Sequence, residues 1–139
     1  MPSLNCAELA TLVIDDHAIL RDTVAQNLRK AGFENIDTAA SSAEAVVLMG
    51  KKIYDIIFID WAMPGKGGYA LVQECRQDRR YDRVALVMVT GQQEEHMMAD
   101  ALKAGATAYI VKPLQPKSFQ EKIKSVLEWI ERVNARQTG

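Results

Sequence analysis

Ile56-Ile57-Phe58-Ile59-Asp60-Trp61-Ala62-Met63-Pro64-Gly65-Lys66-Gly67-Gly68 places an acid at the end of a short apolar run and follows it at once with residues that turn the chain. The run Ile56 to Ile59 is β-branched and aromatic and too short for a helix, so it reads as a buried strand. Working outward, Ala10 to Ile14 and Val84 to Val89 have the same character, and Thr107 to Val111 closes the set. Asn35 to Ala39 is more polar and suits an edge strand. The other strands have little polar alternation, as expected of a parallel sheet covered on both faces.

Helical patterns fill the intervals. Leu20, Val24, Leu28 and Ala31 share one face, and Gly32 stands at a C′ position. Ala43 to Met49 forms a short second helix near Gly50, about Tyr69 to Arg76 a third, and roughly Glu94 to Ala104 a fourth, stopped by Gly105. The last helix carries Phe119, Ile123, Val126, Leu127 and Ile130 on one face, with Pro116 where a first turn tolerates it. Strand and helix alternate as (βα)5, which predicts right-handed crossovers and a doubly wound, five-stranded parallel α/β sheet.

The chain of 139 residues is long enough for one real core and too short for two comfortable ones. One domain over 9–133 is expected, with 1–8 and 134–139 as short tails and no room for a second, output-bearing domain. A formal charge of −1 gives no global pull toward DNA or an anionic membrane, so neither is an expected partner. The local run Arg76, Arg79, Arg80 and Arg83 reads as a solvated loop. Cys6 and Cys75 lack CxxC spacing and fit free thiols in a reducing compartment. No apolar run approaches the roughly 20 residues needed to span a bilayer, and the first residues lack the pattern of a signal peptide. A cytoplasmic location is expected.

In an open α/β sheet, ligands bind outside the carboxyl ends of the strands. The first strand ends in Asp15-Asp16, the third in Asp60, the fourth in Thr90 and the fifth in Lys112. Three carboxylates, a hydroxyl and an ammonium therefore meet on one rim. Close carboxylates in a partly dry crevice resist ionisation unless a cation compensates. Mg²⁺ fits, because it takes hard oxygen ligands, commonly one or two carboxylates with waters and a phosphate oxygen. It also offsets the charge that keeps a phosphate away from an anionic nucleophile. Lys112 adds positive charge without occupying a metal position, and Thr90 can donate to a phosphoryl oxygen. Together the set suits phosphoryl transfer to a carboxylate. Singly, each has an ordinary role: Asp15 or Asp16 as a helix cap, Thr90 as a strand-end residue, Lys112 as a solvated cation. The joint placement is what carries information.

These residues resemble the receiver domains of bacterial two-component response regulators, in particular the stand-alone CheY-like type. The resemblance spans about Leu12 to Ile130 and rests on VIDDH, FIDWAMPGKGG, VMVTG and AGATAYIVKP, in order and on the right strand ends. It implies the flavodoxin-like strand order 2-1-3-4-5 and Asp60 as phosphoacceptor. Mg²⁺ would be held by Asp15, Asp16, Asp60 and the backbone carbonyl of Ala62, and Lys112 would pair with the phosphoryl oxygens. It further implies that Thr90 moves toward the phosphoryl group while Tyr109 turns into the vacated space, reporting on the face of the fourth helix, fifth strand and fifth helix. Without the resemblance, Tyr109 reads as an ordinary half-buried aromatic. The implied partners are a sensor histidine kinase or histidine phosphotransfer protein and a downstream protein target on that face, with the chain a monomer or a phosphorylation-dependent dimer. The Lys112-Pro113 peptide is expected to be cis.

Three positions depart from the family pattern. Gly67 stands where an Asp or Asn usually precedes Gly68, which removes a capping side chain. Ala62, two after the acceptor, is too small to hydrogen-bond a phosphoryl group, and Gln92, two after Thr90, is not an acid. The last two flank the line of attack by water in the family, so the acylphosphate is expected to outlive that of fast-cycling chemotaxis proteins.

Ala62 also argues against a haloacid-dehalogenase-type phosphatase, which needs a general acid there. Asp15-Asp16 argues against a flavin phosphate loop, and Gly65-Lys66-Gly67-Gly68 lacks the pattern of a nucleotide loop. His17 and His96 show no zinc spacing and are expected to be exposed. The competing reading from another class is a receiver-fold interaction module that works without phosphorylation.

Overall fold

The structure is a computed structural model that describes residues 5–63, 65–91, 97–112 and 114–138, with side chains to Ala135. Five strands, β1 (Thr11–Ile14), β2 (Ile36–Ala39), β3 (Ile56–Asp60), β4 (Ala85–Thr90) and β5 (Ala108–Val111), form one parallel sheet in the order β2-β1-β3-β4-β5. Five helices connect or follow them: α1 (Ala18–Lys30), α2 (Ser42–Met49), α3 (Gly68–Arg76), α4 (Met98–Ala104) and α5 (Pro116–Thr138). This is the flavodoxin-like α/β receiver fold.

Alternation along the strands divides the core. Leu12, Ile14, Ile57, Ile59, Leu86 and Met88 pack with Ala45, Leu71, Val72 and Ala101 of α2, α3 and α4. Val13, Ile56, Phe58, Val87 and Val89 pack with Val24 and Leu28 of α1 and with Phe119, Ile123, Val126 and Ile130 of α5. Every residue of β1, β3 and β4 is buried, which is why these strands read as unbroken apolar runs. β2 and β5 sit at the edges and are partly exposed.

Several boundaries and roles differ from the sequence reading. α5 continues through Thr138 where a tail was expected after about Val133, as no Gly or Pro interrupts the chain before the end of the element. Upstream of Leu9, Cys6–Glu8 forms a 3₁₀ turn capped by the Asn5 side chain. Glu94, the expected start of the fourth helix, and Pro113, with its peptide bond, lie outside the described residues.

Arg76 overturns the solvated-loop reading of the basic run. Its guanidinium donates to the carbonyls of Gly105 (2.7 Å), Tyr81 (2.7 Å) and Val84 (3.0 Å) and to Thr107 Oγ1 (3.1 Å). It thereby ties the end of α3 to the end of α4 and the start of β5, with the Trp129 ring of α5 5.8 Å away. A guanidinium can do this because its donors form a planar fork. Gly105 completes the joint: its φ is +114°, and a Cβ there would collide with Arg76 Cγ. Arg79 and Arg80 follow the reading, Arg80 pairing with Asp78 at the surface.

Removing the fork strands several carbonyls at once, so Arg76→Met is expected to cost about 2–4 kcal/mol. Gly105→Ala combines a strained φ with the collision and is expected to cost at least about 2 kcal/mol. Urea unfolding of both variants measures this, and midpoints equal to that of the wild type would refute the joint.

Candidate functional site

The parallel sheet delivers the carboxyl ends of β1, β3, β4 and β5 to one rim, and the residues singled out in the sequence stand there. Asp15 and Asp60 are almost fully buried, at 2% and 5% exposure. Lys112 Nζ lies 3.4 Å from Asp15 Oδ2 and 3.2 Å from Asp60 Oδ1, so one ammonium bridges two buried carboxylates. Its own position follows from the backbone, as Lys112 N donates to the Thr90 carbonyl at 2.7 Å just past the β4–β5 pairing.

Asp15 is held from both sides. Its N–H donates to Ala39 O, its Oδ1 accepts from His17 N (2.9 Å), and its carbonyl accepts from Arg21 Nη1 (2.8 Å). The ordinary reading of Asp15 as a helix cap is not met, since the N-cap of α1 is His17; one Asp15 oxygen instead holds the His17 N–H, which leaves the other for Lys112. Asp16 differs: its Oδ1 is shielded from solvent and accepts no hydrogen bond. Ligand atoms of Asp15, Asp16, His17 and Asp60 all lie within 4.8 Å of one another. A buried carboxylate oxygen without a donor, beside two more carboxylates and only one ammonium, is the arrangement a divalent cation satisfies. The donor set, mainly carboxylate oxygen, fits Mg²⁺.

The carboxyl of Asp60 is pushed up to about 6, first by burial and next by the charge of Asp15, while Lys112 pulls it down. Ionised Asp60 thus costs the fold something that a further cation would recover.

The loop after Asp60 departs from expectation in how it is held. Gly67 is the N-cap of α3 and offers no side-chain cap, as its identity predicts. The tether comes from α2 instead: buried Ser42 Oγ donates to Lys66 O at 2.8 Å, and Lys66 pairs with Glu74. Gly68 is required by space, because a Cβ would collide with the Asp60 carbonyl oxygen and stand 2.9 Å from Ile59 Cγ2. Trp61 packs on Tyr69, ring centroids 5.3 Å apart, and Ala62 is exposed.

Thr90 is fully buried and its Oγ1 donates to Tyr109 OH at 2.8 Å. Tyr109 is 2% exposed, not half-buried. Gln92 and His96 fall outside the described residues.

Three contributors escaped the sequence reading: Arg21, Ser42 and His17. Arg21 and Ser42 act through backbone carbonyls, which leave no residue-type signature. His17 is exposed as expected, yet its Nδ1 comes within 3.2 Å of Asp16 Oδ1, and its place next to the acidic pair was the available signal.

The response regulator receiver domain matches residues 11–124. The chain belongs to that family. Among its relatives, the chemotaxis protein CheY of Pseudomonas aeruginosa is 32% identical over 123 residues, covering 88% of this chain and 97% of the relative. Chemotaxis protein CheY-3 of Vibrio cholerae is 31% identical over 117 residues, covering 84% and 90%. Among solved structures, CheY4 of Vibrio cholerae superposes with a TM-score of 0.76 at 29% identity, covering 85% of this chain and 98% of that one. A response regulator of Chloroflexus aurantiacus gives 0.80 at 29% identity, covering 86% and 98%. The receiver is thus of the CheY type, a signalling domain and not a classical enzyme. Among the described residues, no helix is long and apolar enough to cross a membrane.

The raised Asp60 pKa has a signed consequence. Its stabilising contribution is complete below the ordinary value near 3.8 and is lost as pH rises through about 6. In chelator at pH 8, Asp60→Asn is therefore expected to be more stable than the wild type by about 2 kcal/mol, the gap closing toward pH 5. Added Mg²⁺ should narrow it at pH 8. Urea midpoints across pH measure this, and a variant less stable than the wild type at pH 8 would contradict it.

Proposed function

We propose that Asp60 is the phosphoacceptor of a two-component phosphorelay, taking a phosphoryl group from a phosphohistidine on a sensor histidine kinase or histidine phosphotransfer protein. The observation that carries this reading is the bridge of Lys112 between buried Asp15 and Asp60, beside an Asp16 oxygen with no hydrogen-bond donor. An Asp60 carboxylate oxygen attacks phosphorus while the P–N bond breaks, and the imidazole nitrogen keeps the electron pair of that bond. Asp15, Asp16, Asp60 and the backbone carbonyl of Ala62 would hold Mg²⁺, which when bound would supply charge neutralisation between the anionic nucleophile and the incoming phosphate. Lys112 exchanges its contact with Asp60 for the phosphoryl oxygens.

The donor has an apolar approach. Ile19, 81% exposed, and Leu20 stand at the start of α1, and Leu20, Lys112 and Leu114 line a groove of about 220 Å³ beside the site.

Thr90 has one hydroxyl proton and spends it on Tyr109. Turning that proton to a phosphoryl oxygen leaves Thr90 Oγ1 to accept from Tyr109 OH, so the move of Thr90 toward the phosphate favours the inward ring and gives a two-state element. The readout face is a second groove of about 220 Å³, lined by Met98, Tyr109, Val111, Gln115 and Lys122, between α4, β5 and α5. A downstream protein target docks there, the chain acting in the cytoplasm as a monomer or phosphorylation-dependent dimer. The second reading is an interaction module of receiver fold that works without phosphorylation.

Intact-mass measurement after acetyl phosphate and Mg²⁺ separates the two. One phosphoryl adduct is expected on the wild type and none on Asp60→Asn. No adduct on the wild type would favour the interaction module, and one that survives the substitution would place the acceptor elsewhere. With Ala62 two residues after the acceptor and Gln92 two after Thr90 in the sequence, the adduct is expected to persist for minutes in Mg²⁺, and decay within seconds would refute the inferred lifetime.

A further inference from the structure

His17 brings a nitrogen to a site whose other donors are oxygens. Its Nδ1 stands 3.2 Å from Asp16 Oδ1 and 3.5 Å from Asp15 Oδ1, and it belongs to the group whose ligand atoms all fall within 4.8 Å. Adjacent ligands of an octahedral ion, each about 2.1 Å from the metal, stand about 3 Å apart and opposite ones about 4.2 Å. The separations around His17 therefore suit neighbouring corners of one coordination sphere after small adjustment.

The approach to Asp16 is within ion-pair distance for a protonated imidazole but is not a hydrogen bond, so with a neutral ring the Nδ1 lone pair faces the carboxylates unused. Packing does not fix the ring either, since the side chain is 65% exposed. The backbone does place it: His17 is the N-cap of α1, its N–H bound to Asp15 Oδ1 and its carbonyl accepting from Arg21 N. The ring is held over the acidic pair at its root and stays free at its tip.

We infer that His17 is an additional metal ligand that lets the Asp15-Asp16-Asp60 site take a nitrogen-seeking transition ion of the Co²⁺ to Zn²⁺ class in preference to Mg²⁺. This rests on the reading of that cluster as a divalent-cation site. Mg²⁺ gains little from imidazole, whereas affinity for N-donor sites climbs steeply from Mn²⁺ through Co²⁺ to Ni²⁺. A transition ion bound through Asp16 and His17 would compete with Mg²⁺ for the same carboxylates and so couple the receiver to metal supply.

The test is calorimetric titration of the metal-free full chain with Mg²⁺ and separately with Co²⁺, for the wild type and His17→Gln. Gln keeps a polar side chain at the N-cap and removes the imidazole. Co²⁺ affinity is expected to fall at least about tenfold further than Mg²⁺ affinity, with a change in the visible Co²⁺ absorption from loss of the nitrogen. Equal proportional changes for the two ions, or an unchanged Co²⁺ spectrum, would overturn the role of His17 and leave the Mg²⁺ site standing. If neither ion binds the wild type, the cation site itself fails and the inference falls with it.

Discussion

Two buried carboxylates, Asp15 and Asp60, share one ammonium at Lys112, and the rest of the rim is arranged around that shortage of positive charge. Parallel strands bring their carboxyl ends together, so acids at the ends of β1 and β3 are forced into company whatever their charge. Burial, with repulsion from Asp15, is what lifts the Asp60 carboxyl to about 6. Lys112 offsets part of it. Under the proposed function, a cation would remove repulsion at this rim and a phosphoryl group would meet the ammonium.

The opposite pole of the sheet is built for stiffness. Arg76 binds carbonyls from Tyr81, Val84 and Gly105, fixing the end of α4 against α3 and the start of β5. Thr90 stands on the acidic rim at the end of β4, and Tyr109, nearer this joint along β5, is linked to it by one hydrogen bond. A change in that bond at the rim therefore meets an α4 anchored at its C-terminal end, so its N-terminal part is the portion left to respond.

Much of this was legible in the sequence because it depends on residue type repeated along the chain. Strands buried on both faces leave continuous apolar runs, as in IIFID, and strand ends are fixed by where those runs stop. The acids, Thr90 and Lys112 followed from that register. The rest depends on groups that residue type does not reveal. Arg76 looks like any member of a basic run until its carbonyl partners are seen. Ser42 tethers Lys66 across 24 residues through a backbone oxygen, and the Tyr109 hydroxyl meets Thr90 from the neighbouring strand. His17 was read as exposed, which it is, but exposure said nothing of its distance from Asp16.

The central claim is that this rim directs a phosphoryl group to one particular acid. Borohydride reduction of the acetyl phosphate-treated protein converts an aspartyl phosphate to homoserine, which peptide sequencing by mass spectrometry locates. Homoserine at position 60 and at no other acid is the predicted result. Homoserine at Asp15, Asp16 or a surface carboxylate, with Asp60 unmodified, would contradict it.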